Sequence, residues 1–225
     1  MKDNFQLGKE IDLLEKYPKA NRDLSSREKT KSEKTREIAR KFEKDFFDGD
    51  REYGYGGFNY NEKYWTNVVK DFKEYWKLDS NSKVLDVGCA KGFMVYDLMR
   101  LIPGIQVKGL DISNYAIENC KEEVKEHLMV GDAKNLPFED NEFDVVISIN
   151  SIHNLDIENC GKSLREIERV SKKNSSITVD AYRDVNEKKR MEAWNLTAKT
   201  IMSVEDWKSF FKKNNYSGDY FWFIP

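Results

Sequence analysis

Two different hydrophobic rhythms run along this chain, and they meet near Lys83. From there onward, short apolar runs alternate with stretches of helical period. The runs are "KVLDVG", "QVKGLDI", "HLMVGD", "FDVVISIN", "SITVDAYR" and "GDYFWFIP". The intervening stretches are "GFMVYDLMRLI", "NYAIENCKEEV", "CGKSLREIERVS", "VNEKKRMEAWNLT" and "SVEDWKSFFKKNN". Near-continuous apolar strands separated by amphipathic helices predict an α/β, doubly wound, mostly parallel sheet with helices on both faces. Before Lys83 the pattern differs. Within residues 21–50, Ile38, Phe42 and Phe46 fall four apart among Lys, Arg and Glu, which predicts one amphipathic helix whose apolar stripe must dock on something. The glycine- and aromatic-rich "DGDREYGYGGFNYNEKYW" predicts a hinged loop able to pack or to close as a lid, leading into a helix from Glu62 to Trp76. The division expected is a helical extension with an aromatic lid, residues 1–78, followed by a ligand-binding domain, residues 79–225.

Composition narrows the compartment and the partners. The net charge of −2 is spread over interspersed acidic and basic residues. A nucleic acid or an acidic membrane is therefore not the expected partner. Three widely spaced cysteines without a C-x-x-C pair suggest neither disulfides nor a zinc knuckle. The charged first residues lack a signal-peptide core, and no window approaches the ~20 apolar residues of a membrane span. A cytoplasmic location is expected.

Ligands of open parallel sheets bind beyond the carboxyl ends of the strands, so those ends carry the chemistry. The first strand ends "VLDVGCAKGF", with Asp86 before a turn containing Gly88, Ala90 and Gly92, and a helix follows whose free N–H groups face the ligand. A carboxylate there suits a ligand bearing an ammonium group better than a pyrophosphate. The second strand ends at Asp111, twenty-three residues after Gly88, a spacing suited to accepting both hydroxyls of a ribose. The third ends "VGDA", where Asp132 is positioned for the exocyclic amine of a purine. In that order the three describe an adenosine with a cationic amino-acid tail.

From about Lys83 to Arg183 the chain resembles the class I S-adenosylmethionine-dependent methyltransferases, a Rossmann-like family. "VLDVGCAKGF" is similar to the family's glycine-rich first motif, "GLDIS" to its ribose motif, and "GDAKNLPFEDNEFDVVISINSIHNL" to its adenine loop and fourth strand. The resemblance implies S-adenosylmethionine as cofactor, with Asp86 and Gly88 at its methionine end. It implies Asp111 with the neighbouring Ile112 at the ribose, and Asp132 with the Ala133 amide at the adenine. Asn150 lines the methionine side. Independently of the resemblance, cation–π contact makes Tyr55, with Phe58 and Tyr60, a candidate shield of the methyl group, with ordinary packing the alternative. Beside a slim methionine chain Ala90 is tolerated, on the condition that the turn avoids positive φ there.

Transfer to a hydroxyl is helped by a base, for which His153, just past the fourth strand, and Asp180, late in the fifth, compete. Either can instead be structural. Phe58, Tyr60, Tyr182, Arg183, Trp194 and Asn195 are acceptor-pocket candidates. The fourth strand ends "SINS", without the acidic ligands that metal-dependent O-methyltransferases carry, so no metal is expected. A small polar acceptor is favoured, O-methylation ahead of N-methylation, in a sugar or natural-product precursor. Two other classes stay open: a nicotinamide-dependent oxidoreductase, disfavoured by Asp86 and the absent G-x-G-x-x-G, and a non-catalytic cofactor-binding scaffold. After "GDYFWFIP" nothing remains for the antiparallel hairpin common in the family. Either the segment Thr197 to Met202 supplies that strand or the sheet is one short, and an exposed aromatic edge then favours a homodimer.

Overall fold

The computed structural model describes residues 5–19, 24, 28, 31–56 and 58–225, the side chain of residue 173 excepted. A seven-stranded sheet runs in the order β3-β2-β1-β4-β5, and β6 and β7 both pair with the outer edge of β5. The strands are β1 Lys83–Val87, β2 Gln106–Asp111, β3 Leu128–Val130, β4 Phe143–Ile149, β5 Ser171–Tyr182, β6 Met202–Ser203 and β7 Asp219–Phe223. Every pairing is parallel, including β5 with β7. The antiparallel strand sought between Thr197 and Met202 is not found among the described residues: the two-residue β6 begins only at Met202 and pairs with β5 in parallel.

The helices are α1 Glu33–Ala39, α2 Lys44–Asp48, α3 Glu62–Trp76, α4 Phe93–Leu101, α5 Asn114–Glu118, α6 Ile157–Val170, α7 Val185–Trp194 and α8 Val204–Lys213. The bounds expected for α3 are met, with Asn61 capping its start and Lys77 closing its end in the left-handed region. The single helix expected across 21–50 is interrupted: residues 31–50 hold two short helices, Leu24 and Glu28 are helical, and the rest of residues 21–30 lie outside the described residues. The break falls at Phe42, whose φ of 53° no helix allows. Phe42 and Phe46 still meet edge to face, so the apolar stripe survives the break.

Strand period divides the core. Leu85, Val87, Val146, Ile177, Val179 and Trp222 point to one face, under α6 and α8. Val84, Val107, Val145 and Ile147 point to the other, under α3 and α4, with Val68, Val69, Phe72, Val95 and Leu98. On that second face α3 and α4 cover β1, β2 and β4, and the β5 positions are Ser176, Thr178 and Asp180. Thr178 and Asp180 of this polar stripe form the floor of a cavity.

The outer edge of β7 is not bare. Tyr220 donates its N–H to Lys9 and accepts one from Ile11, each at 3.0 Å. Tyr220 and Trp222 are buried. The exposed aromatic edge offered as a reason for dimerisation is therefore absent from the described residues. No helix among them is long and apolar enough to cross a membrane.

Candidate active site

A cavity of about 1150 Å³ opens above the carboxyl ends of β1, β4, β5 and β7, roofed by residues drawn from 12–19, 46–56 and 59–61. The turn after β1 forms one wall. Gly88 has φ 87°, and a Cβ there would stand 2.2 Å from Ser151 Oγ, so no other residue fits. Gly92 has φ 74° and begins α4. Ala90 also adopts positive φ, 49°, contrary to the condition set from the sequence. Its strain is held by Asp111, whose Oδ2 accepts the Ala90 N–H at 2.8 Å while Oδ1 accepts that of Ser113 at 2.9 Å.

Asp86 lines this cavity and is 4% exposed. Among the described residues no hydrogen bond reaches its carboxylate. Burial, reinforced by Asp111, pushes its pKa up to about 8. Asn154 Oδ1, in the same cavity wall, is buried and lacks a partner among the described residues. Its amide nitrogen is spent on the Asn150 carbonyl at 3.3 Å. Two buried acceptors without donors fit a ligand that brings its own, as an ammonium group does.

Register places Asp180 on the same face. Asp86 pairs with Ile147, Ile147 with Ser176, and Asp180 lies four residues beyond Ser176. Two strand spacings across and four residues along give about 16 Å between the two Cα atoms. Between them lies room for an amino-acid tail and the reacting atoms. Asp180 is buried, and that burial pushes its pKa to about 7. His153, on a 3-10 turn after β4, is buried too, which lowers its pKa to about 3. Its Nδ1 accepts the Asp180 N–H at 3.0 Å, and its Nε2 stands 3.7 Å from Asp180 Oδ1.

Aromatic residues of the extension close over this floor. Tyr55 accepts the N–H groups of Leu196 and Thr197 and stacks at a tilt on Trp194, which meets Phe223. The extension is also clamped to the glycine turn itself. Lys91 Nζ, almost fully buried, contacts both oxygens of Asp48 at 2.5 and 2.6 Å and the Phe58 carbonyl at 3.0 Å. Tyr115 donates to the same Asp48, and Ser113 Oγ donates to the Phe42 carbonyl.

The residues singled out from the sequence do not all converge. Asp86, Gly88, Ala90, Asn150, His153, Asp180, Tyr55, Arg183 and Trp194 line the cavity. Asn195 does not, because its amide is closed on the backbone of Ala198. Tyr60 packs on Phe93 and Tyr96 and donates to Asp97, outside the lining. Phe58 contributes its carbonyl to Lys91, and the Tyr182 ring lies under Lys188. Asp111 ends β2, Ile112 follows it, and Asp132 and Ala133 follow β3, all beyond the cavity lining, with Ile112 55% exposed and Asp132 paired to Lys134. Sequence reasoning missed Lys91, Asp48, Thr178 and Asn154. For Thr178 a signal existed: "SITVDA" alternates polar and apolar, the mark of a strand with one open face.

A family model described as a methyltransferase domain matches residues 78–215. A tRNA (carboxymethyluridine(34)-5-O)-methyltransferase of Arabidopsis thaliana is 33% identical over 58% of this chain and 31% of its own length. A demethylmenaquinone methyltransferase of Staphylococcus haemolyticus is 36% identical over 49% of this chain and 46% of its own. The chain thus spans less than half the length of these curated relatives. Among solved structures, the YcgJ protein of Bacillus subtilis superposes with a TM-score of 0.52 at 20% identity, over 65% of this chain and 66% of that one, which shows a shared fold.

Proposed function

Because this chain belongs to the class I S-adenosylmethionine-dependent methyltransferases, we propose that it moves a methyl group from S-adenosylmethionine to a hydroxyl of a small acceptor held above β5. The observation that carries this reading is Asp86, a buried carboxylate in the cavity wall that no donor among the described residues satisfies. When bound, S-adenosylmethionine supplies a methyl group made electrophilic by its sulfonium.

Asp86 and Asn154 Oδ1 receive the ammonium end, and Gly88 and Asn150 close around the amino-acid tail. Asp111, its carboxylate oriented by the N–H groups of Ala90 and Ser113, receives the ribose hydroxyls on its remaining acceptor capacity. Asp132 and the Ala133 amide meet the adenine at the outer rim, beside Ile112. The acceptor lies over Thr178 and Asp180, against Trp194 and Arg183. Displacement at a methyl carbon needs alignment above all, and a walled cavity provides it.

Calorimetry with S-adenosylmethionine, with NAD as control, tests the cofactor. Absence of binding at tens of micromolar S-adenosylmethionine sinks the reading. The relatives named for tRNA and for demethylmenaquinone widen the acceptor search, so release of S-adenosylhomocysteine is to be followed with sugars, hydroxy acids, phenols, quinols and tRNA. Transfer only to tRNA refutes the small acceptor while sparing the cofactor.

A further inference from the structure

His153 and Asp180 face each other in the cavity wall, and the identity of the donors fixes what each can do. A backbone N–H can only donate, so the contact from Asp180 N to His153 Nδ1 at 3.0 Å requires a lone pair on Nδ1. The neutral ring therefore carries its proton on Nε2, the nitrogen 3.7 Å from Asp180 Oδ1. To act as a base from this position, the ring has no free lone pair to offer.

Both partners are held rigidly. The His153 carbonyl accepts the N–H groups of Lys199 and Thr200, and the Asp180 carbonyl accepts the indole N–H of Trp207. Asp180, in contrast, shares the cavity floor with Thr178. We propose that Asp180 takes the acceptor's proton, and that His153 is a positioning residue that stays neutral and aims its Nε2–H at the carboxylate. This rests on the methyl-transfer reading above. The acceptor oxygen bonds to the methyl carbon as the carbon–sulfur bond breaks, with the bonding pair left on sulfur as a neutral thioether. The acceptor's proton goes to Asp180 and from there to water.

The charges around the carboxylate agree with a group that exchanges protons near neutrality. His153 from the 3-10 turn and Tyr55 from the extension are uncharged there, and Arg183, Glu187 and Arg190 line the same cavity. Burial holds Asp180 at about 7 and His153 at about 3.

The first test needs no acceptor. In protein labelled with nitrogen-15 and carbon-13, the His153 ring is expected to show an unprotonated Nδ1 and a protonated Nε2 unchanged from pH 5 to 9, and the Asp180 carboxyl to titrate near 7. A proton on Nδ1, or a ring titrating above pH 6, overturns the assignment. The second test uses whichever hydroxyl probe is methylated fastest. Asp180→Asn is expected to lower its rate at least ~100-fold. His153→Gln is expected to keep the rise with pH, with its midpoint moved and its plateau within ~10-fold of the parent. Equal loss in the two variants overturns the proposal. If S-adenosylhomocysteine fails to bind, the methyl-transfer reading falls, and the NMR test still decides where the proton sits.

Discussion

Replacing Asp86 with Asn is expected to stabilise the protein while abolishing cofactor binding, and the gain is expected to depend on pH in a calculable way. In the unfolded chain the carboxyl ionises near 3.8, whereas in the folded cavity its pKa is about 8. Between those values the folded state holds a proton that the unfolded state has lost. Stability contributed by this group is complete below pH 4 and drains away as pH rises toward 8. Each unit in that window is worth 1.36 kcal/mol, so from pH 5 to pH 7 the parent loses about 2.7 kcal/mol that the Asn variant keeps. Urea unfolding of both proteins at the two pH values measures the difference directly, since all other titrating groups are shared. Stabilities that stay parallel across this range would refute the claim that Asp86 is an unpaired buried acid. The same argument makes binding proton-linked: at pH 7 an ammonium ligand must expel about one proton from Asp86, visible in calorimetry as a heat that varies with the buffer.

Three other outcomes are expected. Ala90→Gly removes the left-handed strain at φ 49° and is expected to raise stability by about 1 kcal/mol, while Ala90→Val lowers it; unfolding midpoints that do not separate the two would show that the turn carries no strain. Asp111→Ala frees the N–H groups of Ala90 and Ser113, so it is expected to cost about 2 kcal/mol of folding stability as well as cofactor affinity. The sequence alone suggests a loss of affinity only, and an unchanged melting temperature would favour that simpler view. Asp48→Asn is expected to hasten S-adenosylhomocysteine release in stopped-flow by roughly tenfold, because it removes one side of a partly buried ion pair; an unchanged off-rate would show that the extension does not retain the ligand.

The strands and their order of use were legible because a parallel sheet buried on both faces leaves uninterrupted apolar runs, as "FDVVISIN" does. Helix α5 was less so: "NYAIENCKEEV" has helical period, but the chain leaves the α-helix after Glu118 and resumes as a 3-10 turn at Glu122. The break in the extension at Phe42 was invisible, since its cause is the docking of the Phe42 carbonyl on Ser113, seventy-one residues away. The acids at the strand ends were readable as candidates from their positions, and of Asp86, Asp111 and Asp132 only Asp86 lines the cavity among the described residues. The contact of His153 with Asp180, on which the proposed division of their roles rests, was not, because it depends on one backbone N–H that the β4 to β5 pairing brings to the ring. Nor could Lys91 be distinguished from a spacer in "CAKG", as its partner Asp48 lies in a helix whose docking no local pattern encodes.

That lysine has a consequence for timing. The residue gripped by the extension is part of the very turn that walls the cavity, so the roof cannot lift without loosening the wall beneath it. Arrival and departure of a ligand then become one event with the parting of Lys91 from Asp48, a step sensitive to ionic strength once water reaches the pair. Release of a spent ligand is therefore expected to quicken as ionic strength rises, while the methyl-transfer step itself is expected to be indifferent to salt.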